Sequence, residues 1–166
     1  MDVEDLAQLY EEVLALAGSA TFREPPRGWT ARGLVAHLVI HDRLLLEGLE
    51  AGVIDTSGSD DEERLSAVAD PLRALARSSQ DLLDFLATVT EEEEVTVLPV
   101  RMVEVGVSEI DGPMAVADLV AFQAGQHLPG HLAELFALVV RAVAPPLESE
   151  VREVPRTFPD MEGGLR

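Results

Sequence analysis

The chain contains four histidines, and they fall in two His-x-x-x-His pairs, His37/His41 and His127/His131. Each pair lies in a stretch whose apolar residues recur at helical spacing. A separation of four places two side chains on one helix face, one turn apart. The fold must therefore place two pairs of imidazoles on the apolar stripes of two helices. Unsatisfied buried polar groups cost ~1–3 kcal/mol each, and the stripes offer few polar partners besides Gln123. Imidazole is a ligand for Zn, Ni, Cu or Fe, so convergence of the pairs on one ion would satisfy several of them at once. Three such ligands leave a coordination position open for water or substrate, whereas four can close it.

The helical spacing extends along most of the chain. A first helix is expected over Val3–Ala17, with Leu6, Leu9, Tyr10, Val13, Leu14 and Ala17 as its stripe and Gly18 as its end. Ser19–Gly28, with Pro25 and Pro26, reads as a loop. Thr30 is positioned to cap the second helix, and Trp29 and Leu34 have the spacing of a hydrophobic staple. This helix should run to about Ala51 and bury Leu34, His37, Leu38, His41, Leu45, Gly48 and Leu49. Its solvated side would carry Asp42, Arg43 and Glu50.

Gly52–Glu63 reads as an acidic loop, with Asp60–Glu63 facing solvent or forming a helix first turn. A short helix over Glu62–Ala69 can precede the third main helix, whose start is marked by Asp70 as cap and Pro71 at the first helical position. Leu72, Leu75, Ala76, Leu83, Leu86 and Val89 would line its inner face. Glu91–Glu94 is a solvated charge run. The alternation of Val103, Val105 and Val107 suggests an extended segment or small hairpin, turning near Leu98–Arg101. Asp111-Gly112-Pro113 signals another turn. A fourth helix follows over about Met114–Ala142, with Val116, Val120, Gln123, His127, His131, Leu135 and Leu138 on its stripe. Pro129 removes a backbone donor and crowds the carbonyl of Gly125, so a bend is expected there. Met102 and Met114 read as packing residues. Residues 1–142 thus form one helical domain, and 143–166 an irregular tail.

Composition narrows the function. The net charge of −19 argues against nucleic acid and against an anionic membrane. No apolar run approaches the ~20 residues of a membrane span. The acidic start Met1-Asp2-Val3-Glu4-Asp5 lacks the basic residues of a signal peptide, so a cytoplasmic location is expected. Without cysteine there is no disulfide, thiolate ligand or thiol nucleophile. Any thiol chemistry must use a thiol from outside the chain. No phosphate-binding glycine loop or nucleophilic serine motif is present, and no catalytic residue is assigned.

Two stretches carry a family resemblance. Gly28-Trp29-Thr30-Ala31-Arg32-Gly33-Leu34-Val35-Ala36-His37-Leu38 resembles the entry to the second helix of the DinB/YfiT-like superfamily. The stretch from Asp111-Gly112-Pro113 to His127-x-x-x-His131-Leu132-Ala133-Glu134-Leu135 resembles its fourth-helix signature. With element order and length, the resemblance covers roughly residues 3–142. That superfamily includes bacillithiol transferases and the N-terminal domain of mycothiol-dependent maleylpyruvate isomerases. The resemblance implies an all-α four-helix bundle of up-down-down-up topology, and a metal held by His37, His127 and His131. His41 has no fixed role in it and is left as a supporting residue, an alternative ligand or a proton carrier. Glu134 stands where many relatives have Gln, and the His127-Leu128-Pro129-Gly130-His131 segment is unusually flexible for a ligand pair.

The implied function is a transferase with one divalent metal, Zn or Ni, activating a small exogenous thiol for attack on an electrophile. The implied assembly is a homodimer. A non-enzymatic metal-binding or stress-response dimer is the alternative from another class. A metal-dependent hydrolase is disfavoured, because neither histidine pair has the Glu that His-Glu-x-x-His requires directly after its first His.

Overall fold

The computed structural model describes residues 3–19, 30–104 and 107–143. The staple at Trp29, the Ser19–Gly28 loop beyond Ser19, and the tail beyond Val143 lie outside the described residues. The chain is mostly helical with a small three-stranded sheet.

Helix α1 spans Val3–Ser19 and buries Leu6, Tyr10, Val13 and Ala17, the expected stripe, with Leu9 and Leu14 packed at its margin. Helix α2 spans Ala31–Ala51. Thr30 caps it, its side chain accepting the Gly33 N–H at 2.8 Å. It ends at Gly52, whose φ of 76° places it in the left-handed region where glycine is favoured. Strand β1 (Ile54–Asp55) follows, then α3 (Glu62–Ala67), capped by Asp61. Helix α4 (Pro71–Leu86) begins as expected, with Asp70 as cap and Pro71 in the first turn. Its inner face differs from expectation. Ala76 is exposed, while Leu82 and the two serines Ser78 and Ser79 are buried.

The charge run forms a single exposed turn, α5 (Glu91–Glu94), closed by a reciprocal capping box between Thr90 and Glu93. Backbone and hydroxyl donors from Thr90 hold the Glu93 carboxylate below its usual range. The expected hairpin is present as β2 (Val97–Glu104) and β3 (Val107–Ala115), but its turn is not near Leu98–Arg101. Those residues lie within β2, where Leu98, Val100 and Met102 alternate toward the core. Asp111-Gly112-Pro113 is likewise strand, not turn. Pro113 faces Pro99 across the ladder, an arrangement confined to a non-hydrogen-bonded pair because neither residue has an N–H. On the other side of β2, β1 pairs in parallel, Ile54 opposite Val100.

The last helix begins at Val116 rather than Met114, which still pairs in β3. It is built of α6 (Val116–Phe122), a π-helical turn (Gln123–His127) and α7 (Leu128–Val143). Where Pro129 leads one to expect a bend, the structure has this π turn, in which the Leu128 N–H donates to the Gln123 carbonyl. The wider turn directly precedes the proline that cannot donate and would crowd the backbone.

Helix α1 packs on α4 and α7, and α2 packs on α4 and α7 in turn, so the four long helices contact one another in a ring. No helix of the described residues is long and apolar enough to cross a membrane.

The end of α2 also positions the sheet. A Cβ added at Gly48 would lie 2.8 Å from the Val53 carbonyl oxygen and 2.9 Å from the Ile54 Cα, both backbone atoms that cannot swing away. Gly48→Ala gains helix propensity of ~1 kcal/mol but overpacks this contact at a cost of ~1–3 kcal/mol. The variant should unfold at lower denaturant concentration than the wild type. An unchanged or raised midpoint would show that α2 and β1 separate easily.

Candidate metal centre

All four histidines are buried, at 0–6% exposure, although none lies near another apart from its pair in sequence. Helix α2 supplies His37 and His41. The π turn ends on His127, and the first turn of α7 carries His131. Contact between α2 and α7 brings the two pairs together. The ring centroids of His37 and His131 are 4.8 Å apart, those of His127 and His131 4.7 Å, and those of His37 and His127 5.9 Å. One nitrogen from each of His37, His127 and His131 lies within 4.8 Å of the others. Three buried imidazoles at this spacing can hold a metal ion.

The donor chemistry fits such an ion. The donors are nitrogen only, from side chains that are neutral when they ligate, in a setting that excludes bulk water. Gln123, at the start of the π turn, adds a buried amide with no hydrogen-bond partner among the described residues. A polar occupant of the neighbourhood is what such an amide requires.

His41 is placed differently. Its ring stacks on His127, with centroids 3.9 Å apart and planes tilted by 25°, and it is not part of the three-nitrogen cluster. Burial, and then the neighbouring His127, His37 and His131, push His41 well below the usual histidine range. It is therefore a neutral ring at neutral pH, wedged behind one of the candidate ligands.

Two carboxylates contact the cluster from outside. Glu134 Oε2 lies 3.0 Å from His131 Nδ1, one turn along α7, with a side chain 54% exposed. Asp60 Oδ1 lies 2.8 Å from His37 Nδ1, with a side chain only 18% exposed. The expectation that Asp60–Glu63 forms a solvent-facing loop or a helix first turn thus holds for Asp61, Glu62 and Glu63 and fails for Asp60. Nothing in its local sequence separates Asp60 from the acids beside it; the contact arises from the path of the β1–α3 loop.

Asp42 also departs from expectation. It is 2% exposed rather than on the solvated side of α2. The Tyr10 hydroxyl of α1 donates to its Oδ1, and the Ser78 hydroxyl of α4 donates to its Oδ2 at 2.9 Å. The signal for this was present elsewhere: a tyrosine and a serine pair interrupt apolar stripes, and buried hydroxyls need partners. Burial pushes the Asp42 carboxyl up to about 7, against the opposing effect of the Tyr10 and Ser78 hydrogen bonds. Burial and then the Asp42 carboxylate in turn raise Tyr10.

With a helical frame, a buried triad of histidines and a π turn ending on one of them in view, the chain has the form of a histidine-centred helical protein. The family model of the DinB superfamily matches residues 4–135, and the chain belongs to that superfamily. No curated protein and no solved structure matches it.

The raised Asp42 pKa has a definite consequence for stability. The unfolded carboxyl ionises near 3.8, whereas the folded one retains its proton to about 7. Between those values the folded chain binds more protons, so this group's contribution to stability falls as pH rises and levels off above about 7. The difference in unfolding free energy between wild type and Asp42→Asn should follow that curve. A pH-independent difference, from denaturant titrations at several pH values, would show that the Asp42 carboxyl ionises at the same pH folded and unfolded.

Proposed function

We propose that the protein is a metal-dependent transferase that uses a small exogenous thiol. His37, His127 and His131 would hold one divalent ion, Zn or Ni. The observation that carries this reading is the convergence of one nitrogen from each of these buried side chains to within 4.8 Å. An ion held there supplies the Lewis acidity that lowers a thiol's pKa and keeps the thiolate ready to attack an electrophile.

The chain's own groups are suited to that chemistry in specific ways. Three neutral imidazoles leave the ion's charge unneutralised and a coordination position open, as in catalytic rather than structural sites. His41, neutral and stacked on His127, restricts rotation of that ring. The absence of cysteine means that no protein thiol competes for the open position. The scaffold we infer is a four-helix bundle of α1, α2, α4 and the broken α6–α7 helix, in up-down-down-up order. The ring of contacts among α1, α4, α2 and α7 supports it. A cytoplasmic location and a homodimer belong to the same proposal. Phe136 and Val140, 58% and 46% exposed on α7, give the dimer an apolar surface to use.

The test is turnover. Protein reconstituted with Zn or Ni should conjugate chlorodinitrobenzene or monochlorobimane to a small thiol faster than the same metal in buffer. Chelation or His127→Ala should reduce the rate to background. Metal-loaded protein that shows no thiol-dependent turnover with a panel of low-molecular-weight thiols would contradict the transferase assignment and leave a metal-binding module.

A further inference from the structure

The small sheet contributes none of the histidines, yet its path determines what meets His37. β1 is pinned to β2 by parallel pairing, and the Thr56 N–H extends that attachment by donating to the Arg101 carbonyl at 3.0 Å. The chain then folds tightly. Ser57 donates from both N–H and hydroxyl to the Asp55 carboxylate, and the Ser59 N–H donates to the Thr56 carbonyl at 2.9 Å. Those bonds hold the Asp55 carboxyl below its usual range. Beyond the loop, Asp61 accepts from the Glu63 and Arg64 N–H groups and starts α3.

A Cβ at Gly58 would lie 2.9 Å from the end of the Arg64 side chain, so the arginine lies over the loop. The loop is thus fixed at both ends and covered, with Thr56 and Ser59 fully buried. Asp60 is the residue this arrangement delivers to His37.

We propose that Asp60 is a positioning residue for the metal triad. Its carboxylate lies 2.8 Å from His37 Nδ1 as a close ion-pair contact, near enough to favour the proton on that nitrogen and leave Nε2 as the donor toward His127 and His131. A carboxylate on the far nitrogen fixes the tautomer and orientation of a ligating imidazole and raises its basicity. The inference rests on the metal-holding role of His37, His127 and His131. It adds that the β1–β2 attachment exists to aim one of them. Glu134 is hydrogen-bonded to His131 Nδ1, but from an exposed position on the same helix where water screens it. Asp60 is the stronger lever because it is shielded and comes from a separate element.

The full-length protein, stripped of metal, is titrated with Co(II) and followed by its visible absorption bands. Zn affinity is then measured by competition with a chelator. Asp60→Ala should bind both ions about 10–100-fold more weakly than wild type, with shifted Co(II) bands, and Asp60→Glu should recover part of the loss. Asp60→Asn, which keeps the volume but loses the charge that raises the ring's basicity, should also bind both ions more weakly than wild type and covers the case in which the alanine variant does not fold. Glu62→Gln, which removes an exposed charge from the first turn of α3, should bind as wild type does.

Wild-type affinity and bands in Asp60→Ala or Asp60→Asn would overturn the proposal while leaving the triad intact. An equal fall in Glu62→Gln would overturn it too, by assigning the effect to net charge. A wild type that takes up neither ion would overturn the triad itself, and this inference with it.

Discussion

Burying four imidazoles inside a helical core is the constraint around which the rest of this molecule is arranged. Each ring brings two polar nitrogens into a region otherwise filled by Leu, Val and Ala, where an unsatisfied group costs ~1–3 kcal/mol. The fold gathers these costs in one place instead of distributing them. Helix α2 and the α6–α7 helix meet so that both pairs share one volume, and the polar groups nearby are drawn to it. Asp60 and Glu134 sit against ring nitrogens, and His41 stacks on His127. Farther along α2, the Tyr10–Asp42–Ser78 cluster ties α1, α2 and α4 together through a second buried polar group.

Two local departures from regular structure serve the same end. The π turn at Gln123–His127 accommodates Pro129 and sets the path between His127 and His131. Helices α1 and α2 pack against its continuation, α7. The small sheet is the second departure from a purely helical design. It covers the end of α2 closely enough that only glycine fits at residue 48, and it carries the loop that reaches His37.

Much of this was legible in the sequence, because the signals are local. Helix α2 and its threonine cap, helix α4 with Asp70 and Pro71, and the α1 stripe follow from side-chain spacing and capping chemistry. The burial of the four histidines follows from their positions on apolar stripes, and the choice of His37, His127 and His131 came from family resemblance. What local pattern cannot convey is which elements meet. Asp60 looks like its acidic neighbours until β1 pairs with β2 and the loop turns inward. Asp42 looks solvated until a tyrosine from one helix and a serine from another close over it. Asp111-Gly112-Pro113 carries turn chemistry, yet the ladder opposes its proline to another proline and continues, and Leu98–Arg101, where the hairpin turn is expected, lies inside β2.

The central claim, that His37, His127 and His131 converge to hold a single ion, is tested most directly by stoichiometry. Elemental analysis of protein purified and then reconstituted with Zn or Ni should find one equivalent per chain. That equivalent should be lost when His127 and His131 are both replaced by alanine, in protein that remains helical by circular dichroism. A wild type with no bound metal after reconstitution, or a double variant that retains the full equivalent, would contradict the account.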